Sequence, residues 1–208
     1  SPNWVSESNQ SSSDYGRCVS TAGDVNGDGY SDVIIGAKDF DNGQSDEGRA
    51  FVFHGSPSGL SSSANWTAES NQAFAFFGLS VSTAGDVNGD GYSDVIVGAR
   101  LFDNGHTDVG KAFVYHGSKS GLLLIPSWTA EGNLTGTNLG KSVSTAGDVN
   151  GDGYSDVIVG NNQNIAYVYY GSESGLSLIV NWTQSEVTLF AHSVSTAGDV
   201  NGDGYSDV

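Results

Sequence analysis

A fifteen-residue block, Val-Ser-Thr-Ala-Gly-Asp-Val-Asn-Gly-Asp-Gly-Tyr-Ser-Asp-Val, occurs four times without change, at Val19–Val33, Val81–Val95, Val143–Val157 and Val194–Val208. The copies are offset by 62, 62 and 51 residues, slightly more than the roughly 40–50 of common propeller repeats. A repeat of this size is one supersecondary unit that cannot bury its apolar faces alone, so copies must stack on one another. After each of the first three blocks come an apolar run, an aromatic run, a Gly-Ser-x-Ser-Gly turn and a Trp-Thr pair. Four strands per repeat can be read from this order. The first, around Val19–Gly23, is small and suits a position near a central axis. The second, Asp32–Ala37, is continuously apolar, as a strand covered on both faces should be. The third, Arg49–Gly55, alternates through Phe51 and Phe53. The fourth surrounds Trp66, with equivalents around Trp4, Trp128 and Trp182. Radial stacking of such units gives a β-propeller; a linear β-solenoid is the competing arrangement.

Composition agrees with an all-β chain rich in turns: 30 glycines, 3 prolines and 37% hydrophobic residues, including nine Phe, nine Tyr and four Trp. The net charge of −17 disfavours a nucleic-acid partner, since like charges repel. The acidity is patterned, however. Twelve of the 24 acidic residues lie in the repeated blocks, and four bound divalent cations would bring the net charge to about −9. Cys18 is the only cysteine, so no intrachain disulfide exists; the equivalent positions hold Ser80, Ser142 and Ser193, which suggests a small packing residue. The longest aliphatic stretch, Leu122–Ile125, is far too short to enter a membrane. The chain has no Met and starts at Ser1, as expected of a processed or truncated piece of a longer protein.

Each block contains a metal-ligand pattern. In the first, Asp24, Asn26, Asp28 and Asp32 stand at positions 1, 3, 5 and 9, with Gly29 at position 6 and the Tyr30 carbonyl available at position 7. The other copies supply Asp86, Asn88, Asp90, Tyr92 and Asp94; Asp148, Asn150, Asp152, Tyr154 and Asp156; and Asp199, Asn201, Asp203, Tyr205 and Asp207. An oxygen-only set on a tightly bent loop suits Ca²⁺, whereas the absence of His and Cys disfavours zinc and copper. A helical EF-hand begins similarly but needs Glu at position 12. That position holds Ile35, Val97 and Val159, each inside a β-run, so the EF-hand reading fails. Up to four Ca²⁺ ions are expected.

The loop, its spacing and its flanks together resemble the FG-GAP repeat of integrin α-subunit propellers and related microbial surface proteins. Phe77-Gly78 matches the first element of that motif, with Tyr15-Gly16 and Leu139-Gly140 as variants. Gly36-Ala37 and Gly98-Ala99 match the second. Departures are Lys38 and Arg100 where the family often has Pro, Gly160-Asn161, and Ala191-His192. The resemblance implies a seven-bladed propeller with Ca²⁺ on the loops joining strands one and two, and ligand contacts on the opposite face. There lie the loops 38–48, 100–110, 161–164, 70–77 and 132–139, carrying Phe40, Phe74, Phe76, Phe77 and Phe102; these aromatics either contact a ligand or pack between blades. The whole chain, 1–208, is then one partial propeller of about three and a half blades, with repeats around 16–77, 78–139, 140–190 and a truncated 191–208. Seven blades would take roughly twice this length, so a fragment is expected, with a half-propeller closing as a dimer as the other option.

Nothing in the sequence reads as catalytic machinery. His54 and His116 are repeat equivalents, with Tyr170 in the third copy, and read as packing residues; His106 and His192 accompany no nucleophile motif. The Gly-Ser-x-Ser-Gly turns place Pro57, Lys119 or Glu173 where a nucleophile elbow needs Ser. The expected function is a calcium-binding module for adhesion or ligand binding, recognising protein or glycan. The alternative is a non-catalytic propeller accessory to a secreted hydrolase or lyase. Extracellular calcium modules bind at roughly 10⁻⁴–10⁻³ M, so an extracellular, cell-surface or periplasmic location is expected.

Overall fold

A computed structural model describes residues 2–188 and 190–208. It contains twelve strands: β1 (Tyr15–Gly23), β2 (Asp32–Ala37), β3 (Arg49–Phe53), β4 (Trp66–Glu69), β5 (Phe77–Gly85), β6 (Asp94–Ala99), β7 (Lys111–Tyr115), β8 (Trp128–Glu131), β9 (Ser142–Gly147), β10 (Asp156–Gly160), β11 (Ile165–Tyr169) and β12 (Trp182–Ser185). They form three four-stranded antiparallel meanders, β1-β2-β3-β4, β5-β6-β7-β8 and β9-β10-β11-β12. These are three propeller blades, one per complete repeat. Among the described residues no helix is long and apolar enough to cross a membrane.

The blades stack through their first strands: β1 packs on β5, and β5 on β9. The apolar cores accordingly lie between blades. One cluster joins Ile34, Val52 and Trp66 of the first blade to Val81, Val95 and Tyr115 of the second. The next joins Ile96, Val114 and Trp128 to Val157, Tyr169 and Leu176. β6 and β10 are buried throughout, which is why the second strands carry unbroken Val-Ile runs. Trp66 and Trp128 lock successive blades. Each indole Nε1 donates at 2.9 Å to a carbonyl of the next blade, Leu123 and Ser177 respectively, and each ring meets Tyr115 or Tyr169 edge-on.

Three details depart from the sequence reading. The first strand starts earlier, at Tyr15, because Tyr15 pairs with Ala37 across a bulge that leaves Gly16 and Arg17 unpaired. The segment around Trp4 is not a strand, although Trp4 still bonds the Ser61 carbonyl at 2.9 Å and packs on Phe53. Its tie to the first blade survives without a ladder partner. The fourth block forms a loop closed by the isolated bridge Gly198↔Asp207 rather than half a blade.

Candidate metal centre

In the first loop the carboxylate of Asp24 accepts the N–H groups of Asp28 and Gly29, at 3.0 and 2.8 Å. Asn26 Oδ1 accepts Asp28 N–H, Asn26 Nδ2 donates to Asp28 Oδ2, and Asp28 Oδ1 accepts Tyr30 N–H. The same Asp-to-N–H pattern recurs at Asp86, Asp148 and Asp199. Gly29 takes φ 87°, and Gly91, Gly153 and Gly204 match it, a left-handed bend that a side chain would strain. The side chains at positions 1, 3 and 5 are thus drawn onto one short turn.

Position 9 behaves differently. Asp32, Asp94 and Asp156 are fully buried. In each, Oδ2 accepts the N–H of Val25, Val87 or Val149, and Oδ1 accepts that of Gly55, Gly117 or Gly171, at 2.8–2.9 Å. One carboxylate therefore pins its loop to the chain just past the third strand, which ends at Phe53 rather than at the expected Gly55. Burial pushes Asp94 up to about 7 and Asp156 to about 6, against the lowering effect of the N–H donors. Among the described residues the Asp207 carboxylate accepts the Val200 N–H alone, at 2.9 Å.

The loops also clasp one another. Ser93 N–H donates to the Asp24 carbonyl, Ser155 to Asp86 and Ser206 to Asp148, at 2.8–2.9 Å. The ring of Tyr92 covers Gly27 so closely that a methyl there would lie 2.6 Å from it; Tyr154 covers Gly89 and Tyr205 covers Gly151 in the same way. Tyr30 covers none of the described loop glycines in this way and is 41% exposed. His54 and His116 bring Nδ1 within 3.2 and 3.3 Å of Asn26 and Asn88 Nδ2, so beyond packing they orient the position 3 amides.

No Lys or Arg lies within ion-pairing distance of any of the twelve loop aspartates among the described residues. Three carboxylates on nine residues without a Lys or Arg partner fit a hard cation: Oδ1 of Asp86, Asp148 and Asp199 accepts two N–H groups, but Oδ2 accepts one and keeps a second lone pair. Among the described residues no three His, Cys, Asp or Glu side chains gather around one point. Position 3 is Asn, and the position 9 carboxylate faces backbone N–H groups.

Residues 19–53 and 77–115 match the FG-GAP repeat family, and residues 148–208 match the FG-GAP-like repeat. The chain is built of FG-GAP repeats. Among its relatives are integrin alpha-6 of Gallus gallus, 34% identical over 66% of this chain, and integrin alpha-7 of Homo sapiens, 34% identical over 76%. Integrin alpha-PS2 of Drosophila melanogaster is 36% identical over 70%. The chain spans 12%, 13% and 11% of these relatives' own lengths.

The two halves of the FG-GAP motif meet across each blade junction. Gly36 lies so near the Gly78 carbonyl that a Cβ would sit 1.9 Å away, and Gly98 faces Gly140 at 2.0 Å. Phe77 is fully buried beside Phe113. The position of Cys18 serves the same junction: Cys18 Sγ accepts Val81 N–H, while Ser80 and Ser142 hydroxyls donate at 2.8 Å to the carbonyls of Gly140 and Ala191. It is a tie between blades more than a core residue.

At the opposite end of the FG-GAP blades the aromatics divide. Phe40 and Phe102 pack edge-on against Phe51 and Phe113, whereas Phe74 is 57% exposed and Phe76 is half-buried. Six of the chain's seven cations, all but Lys119, stand at strand ends on this side. Sequence reading passes over Lys141 as a charge, although aligning the repeats sets it against Arg17, Leu79 and His192, a variation just before a stretch that repeats closely.

Proposed function

We propose that the chain is a calcium-stabilised FG-GAP propeller module of a cell-surface or secreted protein, serving adhesion through a protein or glycan ligand held at the end opposite the aspartate loops. The carrying observation is the set of four loops that share one Asp-to-N–H bonding pattern and whose aspartates have no Lys or Arg partner among the described residues, the first three loops each clasped to the one that follows. Positions 1, 3 and 5, the carbonyl at 7 and the carboxylate at 9 would hold Ca²⁺: Asp24, Asn26, Asp28, Tyr30 and Asp32, and their equivalents. The bound ion would cancel the repulsion among the carboxylates and stiffen the face on which blades are clasped. The loops are scaffold, and no catalytic role is assigned to them. Resemblance to integrin alpha chains supports the adhesive role and the extracellular setting.

Free Ca²⁺ at about ten times its dissociation constant should add roughly 1.4 kcal/mol of stability per site. Chelator is expected to lower the melting temperature and Ca²⁺ to restore it, with Asp86→Ala lessening the Ca²⁺ increment. A melting curve indifferent to metal, with residual Ca²⁺ excluded by elemental assay, would overturn the proposal.

A further inference from the structure

The strand-end cations are not equivalent. In the first blade Lys38 Nζ is paired with Asp14 and Asp39, and Arg17 also reaches Asp14. Arg49 pairs with Glu69 and Lys111 with Glu131. One repeat later, Lys38 becomes Arg100, but its two anions become Phe76 and Leu101. No carboxylate lies within ion-pairing distance of Arg100 or Lys141 among the described residues. The buried Arg100 Nε has no hydrogen-bond partner.

The two unpaired cations are neighbours. Gly98, two residues before Arg100, abuts Gly140, directly before Lys141. Burial first, and the Arg100 charge second, lower the Lys141 pKa. Lys141 Nζ donates to Asn162 Oδ1 at 2.9 Å and to His192 Nε2 at 3.0 Å, and both of these residues are exposed. The Arg100 guanidinium lies 5.8 Å from the Phe76 ring centroid. Two loops flank the pair: Leu101 N–H bonds the Ala75 carbonyl, and Asn138 Nδ2 bonds the Arg100 carbonyl. On these loops Phe74 and Leu134 are each 57% exposed. An unpaired guanidinium and ammonium in a chain of net charge −17 make a local positive site with donors free to bind a carboxylate in charge-assisted bonds.

We propose that Arg100 and Lys141, with Asn162 and His192 beside them, bind the carboxylate of an acidic side chain in a protein ligand, using the face that the proposed function assigns to ligand. A peptide is favoured over an acidic glycan because the rim offers Leu134 as well as Phe74. A sugar ring stacks on an aromatic face, whereas peptide side chains pack against both.

The test is NMR titration of the isotope-labelled chain, reading the Arg100 side-chain N–H and the backbone amides of loops 70–77 and 132–139. The probes are the capped tripeptide Leu-Glu-Leu, its Gln counterpart, trigalacturonate, and sulfate at matched ionic strength. The Glu peptide should shift these signals and the Gln peptide should not. Binding should weaken about tenfold or more in Arg100→Gln and in Lys141→Gln, through loss of a charge-assisted hydrogen bond. Arg100→Lys should retain part of it, and Lys119→Gln, away from this end, should leave it unchanged. Equal binding of the Gln peptide, or tighter binding of trigalacturonate or sulfate, would overturn the assignment to an acidic peptide. Loop shifts that persist in both Gln variants would overturn the cation pair and leave the ligand-face reading standing. Silence of this whole end toward every probe would count against both.

Discussion

Glu47 shows how a residue that departs from the repeat carries its own cost. It is fully buried, its Oε1 accepts Asn42 N–H at 2.6 Å, and its Oε2 has no partner. The second repeat has Val109 at the same place, equally buried. Burial raises the Glu47 carboxyl above its ordinary range. The folded chain therefore binds this proton more tightly than the unfolded chain does. Ionised Glu47 subtracts stability at neutral pH, and the loss is recovered as pH falls through the raised pKa. Glu47→Val should stabilise the chain by about 1–2 kcal/mol near neutral pH, with the advantage shrinking on acidification. Urea unfolding at about pH 7.5 and about pH 5 measures it; an advantage independent of pH would contradict a buried charge as the cause. Neither the burial nor the orphaned oxygen is visible in the sequence, where Glu47 reads as one more polar residue of an inserted loop.

At the scale of the element, the junction between blades is governed by backbone contact more than by side-chain volume. A methyl added at Gly98 would meet the Gly140 carbonyl at 2.0 Å, and neither backbone can move without opening the blade interface. Gly98→Ala should cost about 1–3 kcal/mol or more as overpacking. Gly136→Ala, with open space around it but φ 74°, should cost only the left-handed strain of about 1–2 kcal/mol. Equal losses in denaturant unfolding would argue against the junction as the site of the constraint. The second strand, Asp32–Ala37, was legible to the residue because a continuously apolar run bounded by turn residues has one reading. The first strand was legible only in its inner half, since the bulge between Tyr15 and Cys18 depends on a partner strand. Trp4 marks the same limit: an equivalent residue keeps its side-chain contacts, but a strand needs a neighbour to pair with.

Across the whole molecule, the basic residues are segregated from the aspartate loops. Twelve loop aspartates occupy one end of the blades and six of seven cations the other. Without metal, the aspartate end repels itself. Raising salt from about 0.02 M to about 0.5 M should therefore raise the melting temperature of the chelated chain, and raise it much less with Ca²⁺ bound. Equal salt responses in scanning calorimetry would mean that the loops do not dominate the electrostatic strain. In the third blade Trp182 is 41% exposed, whereas Trp66 and Trp128 are buried and bond carbonyls of the adjoining blade.

The sequence by itself determined the all-β class, the four-stranded repeat, the FG-GAP identity and the oxygen-only character of the four loops. Each follows from local pattern: period, turn chemistry and the spacing of side chains along one strand. Only the tertiary structure decided what happens between strands and between repeats. It turned the position 9 aspartates onto backbone N–H groups of the third strand, set the Phe-Gly of one blade against the Gly-Ala of another, and left Arg100 and Lys141 side by side without an anion. Those relations join residues from 15 to 42 positions apart, and folding geometry rather than chain order brings them together.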